Sequence, residues 1–444
     1  MDNDMNTDNA NSEYKIPDMA PELMRGPQWL QEKRTLARDA FNSSPLPRRG
    51  LHLWRYTDPN RFMVDRASVV DSAYTEDYDA VEKVELRHLE QGRLSGLVTD
   101  LGGREINRYG VEKLAEQGIL VTSLSEAVGK YKVLVEPYLY RLVNSATGKF
   151  EALNGALWND GIFIYVPRGK SVAKPLHLLR EAGRENSAQF PRLLIVVDQG
   201  SELTVIDEYG GGSHKMEKGL SYANSAVEIF GMAGSRIRYV NLQRQTSAMN
   251  SYLTHRAMLE RDANMLTIIL AFGGLLNKQN FGAILSGQNA ESNMFGLTFG
   301  SGHQHFDCHT LQHHAAGQTL SNIDHKVVLR DKARSAYTGL IKIEKNARTC
   351  EAYQENRNLL LNKGTRAETI PELEILNEDV RCSHGATIGP IDPMEVFYLS
   401  SRGIPYDDAV RMVVGGFVEK TLKQVPDDLR ERLRQFVNTR LEKI

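Results

Sequence analysis

The chain has 444 residues, 41% hydrophobic and 25% charged, with a formal net charge of −2. That is the composition of an ordinary globular protein, long enough for two or three domains. Near-neutral charge without a basic stretch argues against nucleic-acid binding. The three cysteines are too few for a disulfide framework.

Residues 1–15, MDNDMNTDNANSEYK, are polar and mildly acidic. They lack the apolar core of a secretory signal and the Arg-rich character of a transit peptide. Residues 1–20 therefore read as a disordered start, and a reducing cytoplasm as the expected compartment. Residues 21–150 read as a helical or mixed domain. A helix is expected over 21–44, with Pro27 in its first turn and Trp29, Leu30, Leu36, Ala37, Ala40 and Phe41 at helical spacing. In LHLWRYTDP, residues 51–59, Trp54 and Tyr56 flank Arg55; a small core with one cation–π contact is the expectation. Short strands (97–99, 119–121) and a helix (123–132) follow.

From residue 151 to 390 strand-like runs dominate. A small-residue turn followed by an alternating strand recurs at Gly200, Gly234, Ala263, Ala333 and Ala347. Spacings of about 14 residues, or about twice that, suggest stacked β-coils with a turn at each corner. A β-sandwich has the same alternation, and the recurring corner is what favours a solenoid. The longest apolar run, 265–276, is too short to span a bilayer, so no membrane association is expected. Residues 391–444 read as helical. Asp392, Pro393 and Glu395 form a helix start, Gly403 a left-handed stop, and Pro426 separates two further amphipathic helices. Gly415 and Gly416 inside the second helix weaken it, so close packing against a neighbour is expected there.

Candidate chemistry is sparse. In HQHFDCHTLQHH, residues 303–314, a strand would set His303, His305, Asp307 and His309 on one face. That pattern suits zinc or iron, although a hydrogen-bonded histidine ladder is the plainer reading. The GGGS at 210–213 lacks the Gly-Lys-Ser/Thr ending of a phosphate loop, so no nucleotide is expected to bind this chain. Cys350 reads as a small buried hydrophobe, and Cys308 fits either role. Cys382 and His384, two apart in a strand, share a face with their Cα atoms roughly 7 Å apart. A thiol beside an imidazole can serve one metal or one sulfur-handling site.

Further residues carry a family resemblance. CSHGAT at 382–387, FYLSSRG at 397–403, QENRNLLL at 354–361, PELEI at 371–375, YTGLIK at 337–342, DCH at 307–309, LNGALWNDGIFIYVP at 153–167 and WRYT at 54–57 resemble the SufB/SufD scaffold family of the SUF iron–sulfur cluster assembly system. The resemblance spans nearly the whole chain and leans to the SufD branch. The position matching the sulfur-accepting cysteine of SufB-like chains is Asn356, and Gly385 replaces the glutamate of their His-Glu-Ala-Thr motif.

The resemblance implies a mainly β fold, a right-handed parallel β-helix core (151–390) between helical N-terminal (21–150) and C-terminal (391–444) domains. It implies a non-enzymatic scaffold. A SufB-like paralogue would pair through the end of the β-helix, and a SufC-like ABC ATPase would dock on the C-terminal helices. His384 and Cys382 would form half of a site for iron or a nascent cluster, transient and shared with the partner. Two soft ligands fall short of the four that clusters commonly need. The alternatives are a self-pairing SufB-like scaffold, a β-helix enzyme acting on polysaccharide, and a metal hydrolase using His303, His305 and His309.

Overall fold

Two long β-sheets run through the chain, and successive strands join them alternately. The computed structural model describes residues 15–16, 26–62, 68–69, 78–101, 105–181, 186–210 and 220–441. The first sheet runs Leu120–Ser123, Gly161–Val166, Arg192–Val197, Ser221–Gly231, Met249–Leu259, Leu276–Leu285, His305–His314, Arg334–Ile343, Arg366–Ile375. The second runs from Gly96–Leu101 through Leu176–Glu181, Glu202–Gly210, Arg236–Gln243, Asn264–Ala271, Glu291–Gly300, Leu320–Leu329 and Cys350–Leu360 to Val380–Pro390. From Leu176 and Arg192 onward these neighbours are parallel and in unbroken register, as in Tyr239↔Thr267 and Thr267↔Met294. This is a parallel β-solenoid, as the corner repeat suggests, and not a sandwich of antiparallel strands.

The corners explain the repeat. Gly200 and Gly234 adopt φ of +65° and +69°, and Asp262 and Asn289 +59° and +60°. Glycine enters this region without cost, and Asp and Asn tolerate it. Each corner also bonds the next: Gly200 N–H donates to Ala233 O, Gly234 N–H to Arg261 O, and Asp262 N–H to Gln288 O. The residue after each corner turns inward and is small: Ser201, Ser235, Ala263 and Ala290 are all fully buried.

Strand alternation divides the side chains. Inward residues such as Ile195, Val227, Leu253, Phe281 and Met294 stack into one continuous core. Each fully buried aliphatic or aromatic chain contributes roughly 1.5–3 kcal/mol. Outward residues of the first sheet, including Leu194, Phe230 and Tyr252, pack beneath the N-terminal helices. Trp54 docks here, stacked on Tyr252 at 5.7 Å with an interplanar angle of 3°. It therefore belongs to the seam with the solenoid and not to a separate small core, while Arg55 lies 5.7 Å from the Tyr56 ring as expected. Outward residues of the second sheet, including Val240, Ile268, Leu297 and Val328, receive the C-terminal helices.

The first helix spans Gln28–Ser43, with Pro27 as its extended N-cap and not inside its first turn. At the other end, Asp392 caps Pro393–Ser401 by accepting from Met394 N–H, and Gly403 closes it at φ +86°. Helices Tyr406–Leu422 and Asp427–Leu441 bury Val410, Val414, Val418, Leu429, Leu433 and Val437. The expected close packing at Gly415 and Gly416 is absent: a Cβ at either meets nothing within 4 Å. They line a groove beside Arg434, Val437 and Asn438 of the last helix, with room for a side chain. The GGGS segment beyond Gly210 and Ile444 lie outside the described residues.

Candidate functional site

The solenoid is closed at one end and open at the other. Strands Arg366–Ile375 and Val380–Pro390 are the last of their sheets, each with one neighbour. Each leaves one row of backbone N–H and C=O groups unpaired, a template for another strand. The inward face here has no coil above it. Leu373, Ile375 and Ile388 would be core residues in any deeper coil, yet they are 38%, 38% and 45% exposed.

Cys382 and His384 lie on this open face. The register sets Cys382 over Ala352 and His384 over Gln354, both inward residues of the coil below. Cys382 is half-buried and packs with Val380 against Ile341, Ile343 and Cys350. Burial pushes its thiol above the ordinary cysteine range, so it stays protonated near neutrality until a metal or acceptor takes the proton's place. His384 is exposed. The strand thus brings the two predicted ligands to one face, at the rim of an uncovered apolar surface.

Asn356 also points inward one coil below, opposite Ala386 and buried. It donates from Nδ2 to His325 O at 3.0 Å and accepts from Asn358 Nδ2 at 2.7 Å. Gly385 faces away from His384, and a Cβ there meets nothing within 4 Å. No steric demand selects that glycine, so the missing carboxylate is a chemical difference.

Of the other two cysteines, Cys350 lies in the apolar cluster beneath Cys382 and Cys308 lies deeper in the solenoid. Cys350 is fully buried, with Sγ 3.2 Å from Thr319 Oγ1, as expected of a small core residue. Cys308 is buried in the solenoid interior 3.9 Å from His325 Nδ1, and burial drives its pKa far up, so it is no thiolate.

The histidine-rich segment divides differently from the expectation. The strand begins at His305, leaving His303 in the preceding turn. His305, Asp307 and His309 do share the outward face. There they meet the N-terminal segment: Thr57 Oγ1 donates to Asp307 Oδ2 at 2.5 Å, and Lys278 Nζ lies 2.8 Å from the same oxygen. Among the described residues, the ligand atoms of His303, His305 and His309 do not converge. This is a buried polar seam.

One cluster escaped the sequence reading because its members lie far apart in the chain. Glu85, His177 and Glu208 bring their ligand atoms within 4.8 Å of one another, all buried. His177 Nδ1 is 3.0 Å from Glu85 and Nε2 is 3.1 Å from Glu208. Arg244 pairs with Glu208, and Arg432 Nη1 lies 2.7 Å from Glu85 Oε1 in a contact poorly angled for a hydrogen bond. Burial opposes ionisation of Glu85, but His177, Arg432 and His88 together hold it far below the usual carboxylate range. Arg244 and Arg432 offset the charge of the two carboxylates. The cluster ties helix Tyr78–Glu90, the solenoid and helix Asp427–Leu441 together.

Among the described residues no helix is long and apolar enough to cross a membrane. The C-terminal helices leave Met394, Phe397, Tyr398, Tyr406 and Met412 each more than half exposed.

Residues 179–417 match the family described as "SUF system FeS cluster assembly, SufBD core domain". Residues 24–178 match "SufBD protein N-terminal region". A SufBD family protein of Staphylococcus epidermidis is 25% identical over 421 residues, covering 94% of this chain and 90% of that one. The iron–sulfur cluster assembly protein SufB of Bacillus subtilis is 26% identical over the same length, with the same shares covered.

Proposed function

Because the chain belongs to the SufBD family of SUF iron–sulfur cluster assembly proteins, we propose that it is a SufD-like scaffold subunit. In this reading it pairs with a SufB-like chain through the open end of the solenoid. A SufC-like ABC ATPase docks on the C-terminal helices, and the chain itself neither binds nucleotide nor catalyses a reaction. Iron or a nascent cluster is its cargo, and the reducing cytoplasm is the compartment that keeps Cys382 free.

The observation that carries the reading is the uncovered last coil, where Cys382 and His384 sit beside Leu373, Ile375 and Ile388. An apolar end with two free strand edges asks for a second chain. Its two soft ligands ask for more donors from that chain, because a cluster commonly takes four. Asn356 and Gly385 favour the SufD branch, since a side-chain amide and a glycine supply neither thiolate nor carboxylate. The exposed aromatic and methionine residues of the C-terminal helices suit a docked partner.

A second reading is a self-pairing scaffold that carries the cluster by itself, and the relative named SufB speaks for it. Iron and sulfide bound by the purified chain, alone and with a SufB-like partner and the ATPase, separate the two. The SufD-like reading expects bound cluster only in the complex. Stoichiometric cluster on the chain alone would replace it with the second reading.

A further inference from the structure

A cavity of about 710 Å³ lies between the N-terminal segment and the outer face of the first sheet, within the range that holds small organic ligands. It is distinct from the open end. On the first sheet, Asn280 pairs with His309, His309 with Thr338, and Thr338 with Ile370 of the last coil. The cavity therefore lies three coils down, roughly 15 Å at the usual strand spacing.

Its charges are unbalanced. Arg48, Lys149 and Arg256 line it against a single acid, Glu151. Lys149 and Glu151 are engaged: Lys149 Nζ donates to Phe41 O at 2.7 Å, and Glu151 accepts from Tyr252 Oη at 2.8 Å and Thr254 Oγ1 at 2.6 Å. Arg256 is partly buried, and its Nη1 donates to the carbonyls of His255 and Asn280. It faces no carboxylate within ion-pair distance among the described residues, and Arg48 likewise has none. Gly282, opposite Arg256 in the register, leaves the space its side chain crosses: a Cβ there would lie 2.9 Å from Arg256 Cδ. The Glu151 carboxylate acts on Arg256 through space but makes no ion pair with it, so the three cations still outnumber the one acid, and a partly desolvated guanidinium in such a site favours an anion.

One further feature calls for a ligand that carries a donor as well as the anion. Asn280 is 4% exposed and lines the cavity; its Nδ2 donates to Tyr252 Oη, but its Oδ1 has no partner. A buried acceptor left open is costly unless a donor meets it. The mouth is apolar, with Leu51 and Leu53 about half exposed.

We infer that this cavity binds a small organic anion with an apolar or aromatic body and one hydrogen-bond donor. The anion meets Arg256 and Arg48, the donor meets Asn280 Oδ1, and the body lies against Leu51 and Leu53. The inference is independent of the SUF reading, since no residue of the cavity belongs to the open end.

The test is a fluorescence titration of the full chain with 8-anilinonaphthalene-1-sulfonate, which carries an aromatic body, a sulfonate and one N–H. One saturable, salt-sensitive site is expected. Arg256→Gln should weaken it at least about tenfold, the worth of one charge-assisted hydrogen bond. Arg48→Gln, at an exposed position that does not threaten the fold, should weaken it several-fold. Phe397→Asp on the C-terminal helices should leave it unchanged. Wild-type affinity in both arginine variants, no saturable binding, or loss of binding in Phe397→Asp would each overturn the inference.

Discussion

Substituting Glu85 by Gln tests whether the C-terminal helices are held to the solenoid by charge as well as by apolar contact. Glu85 is 1% exposed at its side chain and meets His177, 2% exposed, and Arg432, 33% exposed. Breaking a fully buried pair costs about 3–5 kcal/mol, because a charge is left without its partner. Arg432 can turn to solvent, so its own part falls to the surface range of about 0–1 kcal/mol. His177 cannot, though Glu208 still holds its other nitrogen. The expected loss is therefore about 2–3 kcal/mol for Glu85→Gln and about 1 kcal/mol for Arg432→Met. The double variant should lose less than the sum, since both remove one contact. A chain of this size does not unfold in two states, so the reading is hydrogen exchange of residues 427–441 with the first urea transition. Faster exchange confined to that helix and to 78–90 is expected. Unchanged exchange in both single variants would refute the reasoning.

Three further outcomes follow from the same geometry. His255, His314 and His325 are buried, and burial lowers their pKa values to about 3, 4 and 4. A depressed histidine makes the unfolded chain the stronger proton binder, so stability is full above about pH 6.5 and falls toward pH 4; at pH 5 each costs on the order of 2 kcal/mol, readable as a falling thermal midpoint, and a flat profile from pH 7 to 5 would contradict it. Alkylation of Cys382 by iodoacetamide should be slow at pH 7 and rise to a midpoint above the ordinary thiol range, because burial raises its pKa; a midpoint below that range would contradict the half-buried placement. Ile388→Asp should abolish pairing with a SufB-like chain on size-exclusion chromatography while leaving the thermal midpoint unchanged, since the side chain is 45% exposed in the lone chain; a complex that forms as before would move the interface elsewhere.

The solenoid was legible because its determinants are local. A left-handed Gly, Asp or Asn, a small inward residue and an alternating strand recur at Gly200, Gly234, Asp262 and Asn289, and each is visible in a window of a few residues. The pair Cys382 and His384 was legible for the same reason: two residues on one strand share a face. That the face is uncovered follows only from the strand order, which ends there. The histidine segment was half legible. Alternation grouped His305, Asp307 and His309, but it could not show that Thr57 and Lys278 would cover Asp307. The Glu85–His177–Glu208 network was not legible at all, because its members are joined by sheet stacking and a C-terminal helix. Close packing against a neighbour was expected at Gly415 and Gly416, but they line a groove with room for a Cβ, which the proposed reading leaves to a partner.

The central claim is that Cys382 and His384 form half of a cluster-assembly site completed by another chain. The direct measurement is reconstitution of the chain with a SufB-like partner and the ATPase, followed by cluster formation with His384→Ala and Cys382→Ser. Both substitutions make a side chain at the uncovered end smaller without burying a charge, unlike Ile388→Asp, so complex formation should survive. The account predicts that cluster assembly drops sharply in His384→Ala and measurably in Cys382→Ser while the complex stays intact. Undiminished assembly in both variants would contradict it.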